Sequence, residues 1–375
     1  MKPSASSLRG NAIKIFLSVL LCAVCIAVMF SVQPPTAFSA AAATCSQGEA
    51  VIEVSSGRLL FQQNGDKRLP MASTTKILTA AIVVEDCDLK EEITVPREGT
   101  GIEGSSVYLK PDEKYTVRQL LYGLMLRSGN DCAVTLALHH SGSVAAFAEE
   151  MNRRAAAWGA ENSHFTNPHG LPDEAHYTTA KDLARIAAHA MQNPAFREIV
   201  STKYFEENGW ASKNKMLFSY EGANGVKTGY TKRAGRCLVT GAKRGDMQLV
   251  SVVLNSPQMY ERSAELLDAA FRKYTLVRLY SAEREFAVPT DGSEKICILK
   301  SDTQKDFFYP LAAGETAEIR CELANIIHLP VKKGENQGKI SVFLENQLIF
   351  SVNLCTIRDV EKSYRDCLRD AIENF

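Results

Sequence analysis

Between Thr74 and Glu85 the chain runs without glycine or proline and is apolar on nearly every side, at Ile77, Leu78, Ala81, Ile82 and Val84. A helix with no polar face cannot lie on a surface, so this one must be wrapped by other elements of a sizeable domain. Wrapping helices are legible further on. Val117, Leu120, Leu121, Leu124 and Met125 trace a second helical stripe, Ala133 to Leu138 a third, and Val144, Phe147, Met151 and Ala155 a fourth behind Ser143 as N-cap. A fifth opens with Thr179 and Asp182 as a capping box and stops before Pro194.

Strands flank this helical block. Val51–Val54 and Arg58–Phe61 read as a hairpin across Ser55-Ser56-Gly57. Beyond Gly222 the period changes again: Gly225–Thr228, Cys237–Ala242 and Gln248–Leu254 read as strands, the last two joined by the turn Lys243-Arg244-Gly245-Asp246, and a helix follows at Glu261–Phe271. Strands, helices, strands and a helix in that order predict an α+β domain, a helical cluster beside an antiparallel sheet. From about Glu283 the pattern shortens to alternating segments such as Ile296-Cys297-Ile298 and Ile340–Leu344, a separate small all-β domain. Val360–Phe375 reads as a terminal amphipathic helix with Tyr364, Leu368, Ile372 and Phe375 on one face. The expected segments are 1–43, 44–280, 283–357 and 358–375.

The first of these is a leader. Lys2, Arg9 and Lys14 precede the uncharged apolar run Ile15–Val32, and Ser39-Ala40-Ala41 or Ala40-Ala41-Ala42 offers small residues for cleavage between Ser39 and Ala43. An exported chain is expected, cleaved or retained on a short N-terminal anchor. Of its 375 residues 45% are hydrophobic and 23% charged, which is a globular composition. Basic and acidic residues balance at 43 each, so there is no net basic field to hold nucleic acid. Of the ten cysteines, Cys22 and Cys25 lie in the leader, and the rest are too dispersed for a disulfide framework. Cys87, Cys132, Cys237, Cys297 and Cys355 are expected as buried small hydrophobes. The Ala-Ala-Thr before Cys45 is not a lipid-attachment pattern.

Ser73-Thr74-Thr75-Lys76 opens the buried helix, and its spacing puts a hydroxyl and an amine on one face within reach of each other. Lysine serves as base to such a hydroxyl only where burial or a second cation lowers its pKa. Ser-x-x-Lys alone is common, so the weight falls on its company. Ser128-Gly129-Asn130 breaks two helical stripes, offering a proton relay at Ser128 and an amide binder at Asn130; Lys227-Thr228-Gly229 lies on a strand, with Lys227 as a fixed cation for a carboxylate and Gly229 leaving room for a substrate backbone. No metal or cofactor is expected. His139 and His140 are adjacent, His164, His169 and His176 lack ligand spacing, and Gly334–Lys339 has the wrong spacing and no hydroxyl for a phosphate loop. His169 is read as a loop-packing residue.

With these three motifs, and with Leu69–Ser73, Gly104-Ser105-Ser106, Asn167–Leu171 and Gly225–Thr231 around them, the chain resembles the serine penicillin-binding enzymes over roughly Ala50–Tyr274. Specifically, it resembles the low-molecular-mass D-alanyl-D-alanine carboxypeptidases of the peptidase S11 family. The resemblance implies a β-lactamase/transpeptidase-like domain in which Ser73 attacks the penultimate D-Ala carbonyl with Lys76 as base. It further implies that Ser128 passes the proton to the leaving D-Ala and that Asn130 positions the peptide. Lys227 and Thr228 would hold the terminal carboxylate, and the backbone N–H groups of Ser73 and Tyr230 would form the oxyanion hole. The substrates implied are peptidoglycan stem peptides ending in D-Ala-D-Ala, with β-lactams as covalent inhibitors. A basic residue upstream of the third motif aligns loosely with Lys215. Tyr230 stands where some relatives have His, which implies a different pH profile. Related readings are a D,D-endopeptidase on the same site and a class A β-lactamase. Against the latter, the second motif is not Ser-Asp-Asn and no Glu-x-x-x-Asn block occurs between Gly142 and Leu217. An idle wall-binding protein is the non-enzymatic alternative. Many relatives end in a membrane anchor, so peripheral membrane association through the charged terminal helix is left open.

Overall fold

The computed structural model describes residues 46–291 and 296–373, so the leader expected over residues 1–43 lies outside the described residues. The first hairpin is β1 (Gly48–Glu53) and β2 (Leu59–Gln63), with Val51 opposite Phe61. A 3-10 turn at Ala72–Thr75 leads into α1 (Lys76–Asp86), whose Ile77, Leu78 and Ile82 are fully buried, as a helix without a polar face must be. The short ribbon of β3 (Glu92–Thr94) and β4 (Lys114–Thr116) then delivers the chain to α2 (Val117–Tyr122). A reciprocal capping box starts α2: Gln119 N donates to Thr116 Oγ1 at 3.1 Å and Thr116 N to Gln119 Oε1 at 2.8 Å.

The second apolar stripe does not stay α-helical to its end. Gly123–Arg127 form a π-helical turn that stops at Ser128, and α3 (Asn130–Ser141) starts immediately afterwards. Next come α4 (Val144–Ala157), capped by Ser143 as expected, α5 (Ala180–Gln192) and α6 (Pro194–Ser201). The capping box expected for α5 is half made. Thr179 Oγ1 accepts from Asp182 N at 3.0 Å, but the shorter Asp side chain does not reach back and instead accepts from Asn162 N at 2.7 Å and Ser163 Oγ at 2.9 Å. A two-residue ribbon, β5 (Tyr204–Phe205) and β6 (Trp210–Ala211), and the short α7 (Met216–Ser219) lead to the strands β7 (Ala223–Thr231), β8 (Gly235–Arg244) and β9 (Met247–Leu254), followed by α8 (Met259–Lys273).

These strands close an antiparallel sheet in the order β2-β1-β9-β8-β7. Every residue of β9 is buried because both faces of the sheet are covered, which is why its sequence reads as a nearly unbroken apolar run. Val250, Val252 and Leu254 join the core beside α1 and α5. Ser251, facing the other way, meets Ser263 of α8 at 2.6 Å, and Ser263 donates on to Thr240 at 2.8 Å. β7 is left as an edge strand, and the turn at Ala72–Thr75 packs against it.

From Tyr274 the chain forms β10 (Tyr274–Tyr280), β11 (Glu285–Pro289), β12 (Ile296–Ser301), β13 (Phe307–Ala312), β14 (Ala317–Leu323), β15 (Asn336–Leu344) and β16 (Gln347–Thr356). Five of them form a sheet in the order β11-β12-β16-β15-β14, while β10 pairs with β13 and so belongs, by its hydrogen bonds, with the second domain. Val288, Leu299, Ile340, Val352 and Leu354 make a core separate from that of the first domain. Arg58, at the β1–β2 turn, crosses to this domain. Its guanidinium donates to both oxygens of Glu315 at 2.7 and 2.6 Å and lies against the rings of Tyr274 and Tyr309, 5.3 and 5.2 Å from their centroids.

The terminal helix α9 (Tyr364–Glu373) starts later than its sequence pattern suggests, because Val360 bridges to Val331 and Ser363 then caps the helix with Asp366. Tyr364, Leu368 and Ile372 lie exposed on it, and Phe375 is outside the described residues. The described cysteines are free thiols, with Cys132, Cys237 and Cys297 buried. Cys87 and Cys355, expected inside, are only half-buried: the first follows the last turn of α1 and the second lies near the end of β16.

Candidate active site

The turn that carries Ser73 is held by short-range bonds. Thr74 Oγ1 donates to Met71 O at 2.7 Å and Thr75 Oγ1 to Ala72 O at 2.9 Å. His176 Nδ1 accepts from Thr166 N at 3.0 Å, so its proton sits on Nε2 and is donated to Thr75 Oγ1 at 2.8 Å. Burial lowers the His176 pKa to about 4, which keeps this tautomer neutral. Ala72 is held at φ 51 and Ser128 at φ 65, left-handed conformations that non-glycine residues seldom adopt. They cost roughly 1–3 kcal/mol each and collect where a site requires a particular side-chain direction.

Two glycines admit the elements that press on this turn. Gly170, at φ +88, has no side chain where a Cβ would lie 1.9 Å from Ala72 O. Gly170→Ala therefore has to strain the backbone and displace the nucleophile's turn together. A stability loss of about 2–4 kcal/mol is expected by chemical denaturation, along with slower reaction of the Ser73 hydroxyl per folded molecule. Unchanged values of both would show that the turn yields freely. Gly229 of β7 approaches from the other side, where a Cβ would meet Ser73 N at 3.0 Å and Met71 O at 3.1 Å. Its missing side chain thus makes room for the turn that carries Ser73, while Gly229 also lines the cleft.

Lys76 Nζ is completely buried and donates to Ser73 Oγ at 3.1 Å, Asn130 Oδ1 at 2.7 Å and the His169 carbonyl at 2.8 Å. Burial first, and then the Lys227 charge, push its pKa well below that of an ordinary lysine. Asn130, expected on the substrate, has its amide engaged within the protein: Oδ1 orients Lys76 and Nδ2 donates to Glu103 O at 2.5 Å. His169 is indeed packed in its loop, its pKa lowered to about 3 by burial and by Lys76, but its carbonyl is also a ligand of the base. That contribution comes from the backbone, which no side-chain pattern announces.

Lys227 is likewise buried and donates to Thr228 O at 2.9 Å. Burial and the nearby Lys213 lower its pKa to about 7. The upstream basic residue of the site is Lys213, not Lys215. Lys213 lines the cleft and its Nζ lies 3.4 Å from Ser105 Oγ, whereas Lys215 caps α7 and faces the ring of Tyr260. Lys215 occupies the N-cap position of α7, where the chain turns, so its side chain leaves in a different direction from that of Lys213.

Ser73, Ser128, Thr228, Gly229 and Tyr230 all line one open cleft of about 570 Å³, while Lys76, Asn130 and Lys227 lie buried. Arg236, opposite Tyr230 in the β7–β8 register, also faces this cleft, as do Met259 and Tyr260; the sequence carried no motif for these three. Among the described residues, no group of His, Cys, Asp and Glu is arranged to hold a metal ion. A serine hydroxyl on a buried amine of lowered pKa, beside further lysines on an open strand edge, has the make-up of a serine acyl-transfer site.

The comparisons with known proteins narrow this class. Residues 34–258 match the family model of D-alanyl-D-alanine carboxypeptidase and residues 274–362 that of the penicillin-binding protein 5 C-terminal domain. The chain belongs to the D-alanyl-D-alanine carboxypeptidase family, peptidase S11. It is 31% identical to D-alanyl-D-alanine carboxypeptidase DacA of Haemophilus influenzae, over 88% of this chain and 87% of that one. It is 29% identical to D-alanyl-D-alanine carboxypeptidase DacF of Bacillus subtilis, over 85% and 86%. The crystal structure of penicillin binding protein 5 from Haemophilus influenzae superposes with a TM-score of 0.71 at 29% identity, covering 85% of this chain and 98% of that one.

Proposed function

We propose that this protein is a penicillin-sensitive serine carboxypeptidase that removes the terminal D-Ala from peptidoglycan stem peptides. The observation that carries the reading is Lys76: fully buried, depressed in pKa and 3.1 Å from the Ser73 hydroxyl. Ser73 Oγ gives its proton to Lys76 Nζ and bonds to the carbonyl carbon of the penultimate D-Ala. The backbone N–H groups of Ser73 and Tyr230 take the charge that develops on the carbonyl oxygen. As the C–N bond breaks, Ser128 relays a proton to the departing D-Ala amine. Water then attacks the ester, its proton returns through Lys76, and the shortened peptide leaves. Lys227 and Thr228 receive the terminal carboxylate, and Asn130 holds the base in line.

The purified protein is expected to release D-Ala from a peptide ending in Lys-D-Ala-D-Ala and to carry penicillin on Ser73 by mass spectrometry. Penicillin labelling without D-Ala release, but with cleavage of cross-linked peptides, would assign a D,D-endopeptidase instead. The basic leader supports export, with action outside the cytoplasmic membrane. Among the described residues no helix is long and apolar enough to cross a membrane. The exposed Tyr364, Leu368 and Ile372 of α9 support a peripheral attachment there.

The two lysines set a pH profile. In the free enzyme Lys76 must be neutral and Lys227 charged, so kcat/KM is expected to fall on the alkaline side as Lys227 loses its proton near its pKa of about 7. Lys213 depresses both groups, so Lys213→Met raises both pKa values. Both limbs should then move to higher pH. Limbs that stay in place in that variant would remove Lys213 from the electrostatics of the site.

A further inference from the structure

Asp131 takes no part in the steps above, yet its side chain is completely buried immediately after Asn130. A carboxylate is retained in such a place only when its lone pairs are filled. Here one passing stretch of chain fills most of them. Asp131 Oδ2 accepts from Ser106 Oγ at 2.5 Å, from Val107 N at 3.1 Å and from Leu109 N at 3.1 Å, while Oδ1 accepts from Cys132 N at 3.0 Å. Tyr108 N closes the same knot by donating to Ser106 Oγ at 2.8 Å, with Tyr108 itself in the left-handed region at φ 65.

The residues just before this knot touch the catalytic groups. Glu103 O accepts from Asn130 Nδ2 at 2.5 Å and Ser105 O from Asn130 N at 2.7 Å. The second of these bonds ties the first residue of α3 to the cleft wall, where Ser105 Oγ also meets Lys213 Nζ at 3.4 Å. Asn130 is therefore held on one side by residues 103–105 and followed on the other by the side chain that anchors their continuation.

We propose that Asp131 is a positioning residue for acylation: by gathering Ser106 to Leu109 it sets the carbonyls of Glu103 and Ser105 against Asn130, and through Asn130 it holds Lys76 Nζ on Ser73 Oγ. This inference rests on the acyl-enzyme reading given above. Asp131→Asn keeps the shape of the side chain but turns one acceptor oxygen into an NH2 group that faces N–H and O–H donors. Ser106→Ala removes a single arm of the clamp at a half-buried position and serves if the first variant does not fold.

The test uses the full protein and a fluorescent penicillin, read both as the rate of Ser73 labelling and as the fraction of molecules labelled at completion. Asp131→Asn is expected to label about 100-fold more slowly and Ser106→Ala about tenfold more slowly, which is the scale of a misplacement near 1 Å. Both should still label to completion, and kcat for D-Ala release should fall with the labelling rate while KM changes less than about threefold. A merely structural role gives the opposite pattern: an incomplete labelled fraction with a normal rate in the remainder. That pattern, or wild-type rates in whichever variants fold, overturns the proposal. A wild-type protein that fails to label at all overturns the acyl-enzyme reading instead.

Discussion

Ser73→Ala is expected to lower kcat for D-Ala release by about four orders of magnitude or more and to abolish covalent penicillin labelling, because among the described residues no other hydroxyl stands on Lys76 Nζ. The other two acceptors around that amine are Asn130 Oδ1 and the His169 carbonyl, neither of which can form an ester. Ser128 lines the same cleft, but on a separate left-handed turn. The fold should survive. Ser73 is only half-buried, and its hydroxyl supplies one of three acceptors to the lysine, so the midpoint of thermal unfolding should move by no more than a few degrees. Residual D-Ala release above about 1% of wild type would place the nucleophile elsewhere.

Lys76→Met should lower the rate of penicillin acylation by about three to four orders of magnitude, since the hydroxyl then has no positioned base. Its effect on stability is a balance. Methionine fills the space of the lysine stem, but Asn130 Oδ1 and His169 O each lose a donor, at about 1–3 kcal/mol per unsatisfied group. Against that, a desolvated amine is gone. Its pKa lies well below the ordinary lysine value of 10.5, so between the folded and unfolded values the unfolded chain binds the extra proton. Stability contributed through Lys76 therefore rises as pH rises through that window and levels off above 10.5. Denaturant midpoints measured from about pH 6 to about pH 10 should rise less steeply in Lys76→Met than in the wild type. Parallel slopes would show that Lys76 is an ordinary, charged lysine.

How much of this is legible in the sequence varies with the kind of signal. The all-round apolar pattern of Thr74–Glu85 predicts a central helix, and it forms one because every side of it finds a neighbour. The Ser143 cap is equally readable, since a cap is local and its bond reaches only three residues along the chain. Asp182 misleads because the box pattern does not register the length of the side chain. In the site, the three motifs point to the side chains that face one another but not to what fixes them. The pattern presents Gly229 as space for a ligand but does not show that the turn at Ser73 also packs against it, a contact between distant parts of the chain. It favours Lys215 over Lys213 because nothing in the composition marks which of the two lysines faces the cleft and which sits at the start of the following helical turn. The carbonyl of His169 and the clamp at Asp131 depend on backbone atoms, which every residue type possesses and no motif records.

Arg58 also restrains how the two domains turn against each other. A chain that passes from one domain to another at a single junction, as at Lys273–Tyr274, allows swivelling about that point. Arg58 adds a second point of attachment through Glu315, and Tyr274 Oη donates to Leu60 O at 3.2 Å as a third. Attachments at separate places oppose the rotation that one junction leaves free. The mouth of the cleft then keeps one bearing relative to the β domain, so the direction from which a ligand reaches Ser73 is set in the frame of both domains.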